Sequence, residues 1–155
     1  LVGVRLEVPS NQPIVLLREE SGTRFLPIFI GSPEATAIVY ALQGTETPRP
    51  MPHDLFKAVL DDQGVRLERV EITELREGTF YAELTLVRGG ERSVISARPS
   101  DAIALAARYG DAVPLFAAES VLEEAGVEFE AEEEEQEVAQ FREFLDTINP
   151  EDFGA

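Results

Sequence analysis

Apolar side chains at Val2, Val4, Leu6 and Val8 alternate with other residues, at the period of a half-buried strand. The apolar run 14–17 reads as a second strand and the sheet-favouring run 25–30 as a third, with Ser21-Gly22 turning the chain between them. The first thirty residues therefore predict a three-strand meander. Ser32-Pro33 then reads as an N-cap followed by proline at the first helical position, opening a helix that continues through 35–42 until Gly44. After the loop 45–51 a second helix opens at Pro52, carries Leu55, Phe56, Val59 and Leu60, and stops at Gly64. Asp61 and Asp62 sit near its negative end, where the dipole disfavours them.

The period then returns to two. Strands are expected over 65–75 and 79–87, joined by Arg76-Glu77-Gly78, with Phe80, Ala82, Leu84 and Leu86 on one face. Gly89-Gly90 makes the next hairpin turn, into a strand over 93–97. The apolar parity changes between Leu67 and Val70, which predicts a bulge near Glu68 and Arg69. A third helix is expected from Ser100 to Gly110, a short strand over 113–116, and a small helix over 119–125 closed by Gly126. Hairpins separate the helices instead of alternating with them one-to-one. The expectation is therefore an α+β fold, a mixed or mainly antiparallel sheet with three to four helices.

The end of the chain changes character. Seven glutamates crowd into 128–137, and such like-charge blocks repel themselves and stay solvated. Beyond them Val138, Phe141, Phe144, Leu145 and Ile148 recur at helical spacing before Pro150, marking the apolar face of a short C-terminal amphipathic helix. The organisation is a domain over 1–127, an acidic linker over 128–137, and an amphipathic helix and tail over 138–155. That apolar face is expected either to dock on the domain or a subunit, or to recruit a protein partner.

Of the net charge of −17 over 155 residues, −10 falls in 128–155, and 12 of the 13 basic residues precede that segment. The acidity argues against a protein that coats nucleic acid by charge, while leaving room for a local basic site. With no cysteine, disulfides, thiolate nucleophiles and cysteine-ligated zinc or iron–sulfur centres are excluded together. No apolar run approaches the roughly 18 residues of a membrane helix, so no membrane partner is expected and the chain reads as cytoplasmic. The small residues of 102–107 suit tight packing, from which a homo-oligomer is expected. There is no phosphate loop, dinucleotide fingerprint or nucleophile elbow.

Two segments place charge at the mouth of a helix: Arg49-Pro50-Met51-Pro52-His53-Asp54 and Arg98-Pro99-Ser100-Asp101. In each, proline holds the arginine in extended chain and an aspartate falls in the first turn. Such a mouth binds an anion or holds a carboxylate. The structural alternative is that Ser100 is a plain N-cap and that Arg49 and Arg98 pair with Asp54 and Asp101. His53, the only histidine, suits a metal ligand, a general base or a structural hydrogen bond.

The run Leu26-Pro27-Ile28-Phe29-Ile30-Gly31, Glu34-Ala35, Arg49-Pro50, His53-Asp54-Leu55 and Arg98-Pro99-Ser100-Asp101-Ala102-Ile103-Ala104-Leu105-Ala106 resembles the bifunctional nuclease domain family over roughly 1–127. The resemblance implies a nuclease acting on RNA and/or DNA, with the family's polar positions falling on Glu34, Arg49, His53, Asp54, Arg98, Ser100 and Asp101. Two positions depart from the family pattern: Pro52 stands where threonine is common, removing a hydroxyl cap, and Ser96 where aspartate is common, removing a ligand. A single histidine excludes a two-histidine acid–base pair within one chain. The remaining route is oxygen-rich: Asp54, Asp101 and Glu34, with His53, holding Mg2+ or Mn2+ while Arg49, Arg98 and Ser100 bind substrate. The alternative is a non-catalytic regulatory or interaction domain whose polar motifs staple loops together.

Overall fold

The computed structural model describes residues 3–7 and 11–128. Strands β1 (Gly3–Glu7), β2 (Gln12–Arg18) and β3 (Arg24–Phe29) form the expected antiparallel meander. Helices α1 (Ser32–Gln43) and α2 (Pro52–Asp62) follow, then β4 (Arg66–Arg76), β5 (Thr79–Arg88) and β6 (Glu91–Ala97). Helix α3 (Pro99–Ala107), β7 (Leu115–Ala117), α4 (Glu119–Ala125) and β8 (Val127–Glu128) complete the described chain. The fold is α+β as expected. Its strands are divided between two four-stranded sheets, ordered β1-β2-β3-β8 and β6-β5-β4-β7.

Only β4 and β7 pair in parallel. The anticipated bulge lies between Leu67 and Arg69, and a second, between Ile72 and Glu74, restores the apolar parity of β4. Gly89 and Gly90 adopt φ of 57° and 81°, the left-handed pair a tight hairpin turn demands. The two-residue strand β8 was not anticipated: Val127 and Glu128 pair with Phe25 and Arg24, so Glu128 belongs to a sheet. The linker beyond Glu128 and the C-terminal helix lie outside the described residues.

Helix α1 packs on β1 and β2, α3 packs on β4 and β5, and the two helices pack on each other, while α4 bridges β3 and β4. One apolar cluster runs through all of them, from Val15, Leu17, Leu26 and Ile28 through Ile38 and Ile103 to Val70, Ile72 and Leu84. Burying each such side chain contributes about 1.5–3 kcal/mol. The small face of α3 is used inside the chain: Ala102 and Ala104 are fully buried, which lets α1 approach closely. Arg24 ties β3 to α4 by binding Glu19 at 2.8 Å and Glu119 at 2.9 Å. Among the described residues no helix is long and apolar enough to cross a membrane.

Candidate functional site

Three helices open near one another because α3 packs against both α1 and α2. The caps differ from the sequence expectation. Gly31 and Arg98 occupy the N-cap positions of α1 and α3, so Ser32 and Ser100 lie inside the first turns. Proline at the first position of α3 fixes this boundary, since its missing N–H costs a helix nothing there. Helix α2 is capped at Met51, whose N–H donates to Asp54 Oδ2 at 2.9 Å. That bond satisfies one backbone donor of a mouth in which Pro52 offers no hydroxyl.

The first turns contribute one continuous polar chain. Arg98 Nη1 donates to Glu34 Oε1 at 3.0 Å, and Arg98 Nε donates to Asp101 Oδ2 at 2.8 Å. The other oxygen of Asp101 lies 2.9 Å from His53 Nε2. Glu34 of α1, Asp101 of α3 and His53 of α2 are thus joined through a guanidinium and a carboxylate. Their exposure is graded: Arg98 is 63% exposed, Asp101 37% and His53 16%.

The partner atoms fix the imidazole tautomer. A carboxylate accepts from Nε2–H, which leaves the Nδ1 lone pair as the second ring group, and Nδ1 is buried with no hydrogen-bond partner among the described residues. His53 therefore holds Asp101 with one nitrogen and turns the other inward. Burial by itself pushes the Asp101 carboxyl up, but the Arg98 and His53 hydrogen bonds and the Arg98 charge outweigh it and hold it below the usual range. Arg98 is in turn held more firmly protonated by its bonds to Asp101 and Glu34.

Asp54 is engaged differently from the expectation that paired it with Arg49. Its Oδ1 accepts from Arg108 Nε at 2.6 Å, so both of its oxygens are occupied. Arg108, only 7% exposed, also donates to the carbonyls of Ala104 at 2.7 Å and Ala37 at 3.2 Å. One guanidinium thereby connects α1, the end of α3 and the mouth of α2. Its place in the sequence carried a signal: an arginine two turns after Asp101, at the end of the helix, where such side chains cap free carbonyls. Burial raises the Asp54 carboxyl, while the bonds from Arg108 and Met51 overcome this and lower it.

Both aspartates titrate lower in the fold than in the unfolded chain. Their contribution to stability is therefore complete above the unfolded value near pH ~3.9 and is lost as the pH falls through the folded values below it. Urea unfolding between pH 5 and 2 is expected to show a smaller loss of stability on acidification for Asp54→Asn than for the unaltered protein. Equal slopes would refute this.

Of the remaining expected residues, Ser100 is buried, so its hydroxyl does not face an approaching substrate. Arg49 stays exposed on the loop before α2 and forms no ion pair among the described residues. Among those residues no three His, Asp or Glu side chains group closely enough to hold a metal ion. Glu34 and Asp101 share Arg98 between them, and a cation there would compete with the guanidinium. The arrangement as it stands fits an anion better than Mg2+ or Mn2+, and no chemical step is derived through a metal.

An α+β domain whose helix mouths assemble an arginine-lined cluster of carboxylates around one histidine is a framework for recognising a phosphate. Comparison with known proteins agrees with that class. The model of the bifunctional nuclease domain matches residues 15–130, and the chain belongs to this family. An uncharacterised protein of Mycobacterium tuberculosis is 47% identical, the match covering all of this chain and 96% of that protein. Bifunctional nuclease 1 of Oryza sativa subsp. japonica is 33% identical over 63% of this chain, and bifunctional nuclease 2 of Arabidopsis thaliana 30% identical over 65%. The matched regions span 30% and 32% of those plant proteins, so the plant names describe much longer chains.

Proposed function

We propose that the protein is a nuclease that hydrolyses phosphodiester bonds of RNA and/or DNA at the Glu34–Arg98–Asp101–His53 cluster. The observation that carries the reading is the bridging position of Arg98, whose exposed guanidinium is bound to Asp101 on one side and Glu34 on the other. A phosphodiester is a stronger planar-fork partner than a shared carboxylate, so substrate draws Arg98 away from Glu34 and Asp101. Arg49, exposed on the neighbouring loop, supplies a second cation.

Once Arg98 turns to phosphate, Asp101 loses the largest influence that keeps it ionised and becomes the more basic carboxylate. Asp101 Oδ2 then takes a proton from water, the oxygen forms a bond to phosphorus, and the bond from phosphorus to the leaving oxygen breaks. The leaving oxygen takes its proton from solvent. Arg98 and Arg49 neutralise charge on the non-bridging oxygens, the main requirement of phosphoryl transfer. His53 keeps Oδ1 fixed throughout and acts as a positioning residue, as does Asp54.

A second reading, a non-catalytic interaction domain, is favoured by α2, where Leu55, Phe56 and Val59 are 55%, 40% and 49% exposed. One assay separates the two. Purified protein is incubated with single-stranded RNA and DNA after chelation, then with added Mn2+, alongside Arg98→Ala. Cleavage in chelator that disappears in Arg98→Ala is the expected result. Cleavage only with Mn2+ would reinstate the metal route, and no cleavage in either condition with retained binding would favour the interaction domain.

A further inference from the structure

The first sheet is buried on both faces. Val15, Leu17, Leu26 and Ile28 point into the core shared with α1 and α4. Alternation along the strands puts Ile14, Leu16 and Phe25 on the opposite face, and they are only 4%, 1% and 0% exposed. None of these three belongs to the main apolar cluster, and no described helix lies on their side. A two-sided sheet with one face toward water carries polar residues there, and this one carries large apolar ones.

We infer that the covering element is the chain's own segment 138–148, with Val138, Phe141, Phe144, Leu145 and Ile148 laid against Leu16 and Phe25. The last described strand fixes the point of departure: β8 ends at Glu128, paired with Arg24, and the neighbouring Val127 pairs with Phe25 itself. The chain therefore leaves the sheet at the edge of the buried patch. Residues 129–137 reach about 30 Å when extended, against about 14 Å across a four-stranded sheet. An 11-residue helix is about 16 Å long, enough to cross these strands. Phe29, on the same face, remains 55% exposed, so the cover lies over the β2 and β3 residues nearer β8.

The cysteine-free chain makes a clean test. In the full-length protein, Leu16→Cys reports the patch and Val15→Cys the opposite face. Thiol labelling of both is followed with and without the tail substitutions Phe141→Asp and Phe144→Asp. The tail changes are expected to speed labelling of Cys at 16 by tenfold or more and to leave Cys at 15 protected, independently of protein concentration. Unchanged labelling at 16 overturns the inference. Protection at 16 that is lost on dilution also overturns it, because the cover then comes from a second copy. Equal acceleration at 15 and 16 would mean the tail supports the whole fold and not this face.

Discussion

Asp101→Asn is expected to lower kcat by about 10²- to 10⁴-fold, the range lost when a positioned proton acceptor is removed. The substitution preserves shape and changes two things. The amide oxygen is drawn to the Arg98 cation, now bonded to Asp101 Oδ2 at 2.8 Å, which turns the amide N–H toward His53 Nε2. His53 must then accept at Nε2 and carry its proton on the inward Nδ1, which has no acceptor among the described residues. Base and tautomer fail together, so single-turnover cleavage should collapse while substrate affinity, set by Arg98 and Arg49, changes little. His53→Gln keeps a donor for Oδ1 and should retain more activity than His53→Ala. Wild-type rates in Asp101→Asn would remove Asp101 from the mechanism.

Arg108→Met is expected to cost about 3 kcal/mol of stability, the lower end of the range for breaking a buried ion pair. The lower end applies because Asp54 is 41% exposed and recovers some hydration, whereas Arg108 is only 7% exposed. Three acceptors lose a partner at once: Asp54 Oδ1 and the carbonyls of Ala37 and Ala104. The Ala104 carbonyl suffers most, since the Arg108 N–H that would serve it in a regular helix goes to Leu105. Methionine keeps the length and apolar contact of the side chain, so the measured loss isolates the guanidinium. Arg108→Lys should recover part of it, and Asp54→Asn in the Arg108→Met background should cost less than in the parent, because the two groups act on each other. A loss below about 1 kcal/mol would place Arg108 outside the framework that sets the mouth of α2.

Activity should follow the same logic. With Arg108 gone, Asp54 retains only the Met51 N–H and the start of α2 loses its anchor to α1 and α3. His53 sits in that first turn, so its 2.9 Å contact to Asp101 loosens although neither residue is altered.

What the sequence alone determined was local: the meander, the order of strands and helices, the parity change at Glu68 and Arg69, and the small helix α4, whose limits match the expected 119–125. Period, turn residues and caps act within a few positions, so they remain readable in one dimension. The same locality placed Asp101 and Arg98 together, three residues apart on one turn. Everything that depends on which helix packs on which was decided by the tertiary structure. Glu34 meets Arg98 across 64 residues, His53 meets Asp101 across 48, and Asp54 meets Arg108 across 54. The expected Arg49–Asp54 pair was a neighbour in sequence and lost to a cation that α3 brings from far along the chain. The division into two sheets was equally hidden, because strand composition records whether a residue is covered and not what covers it. The physical reason is the same in each case: burial sets a carboxylate's need for a partner, and only packing selects which cation supplies it.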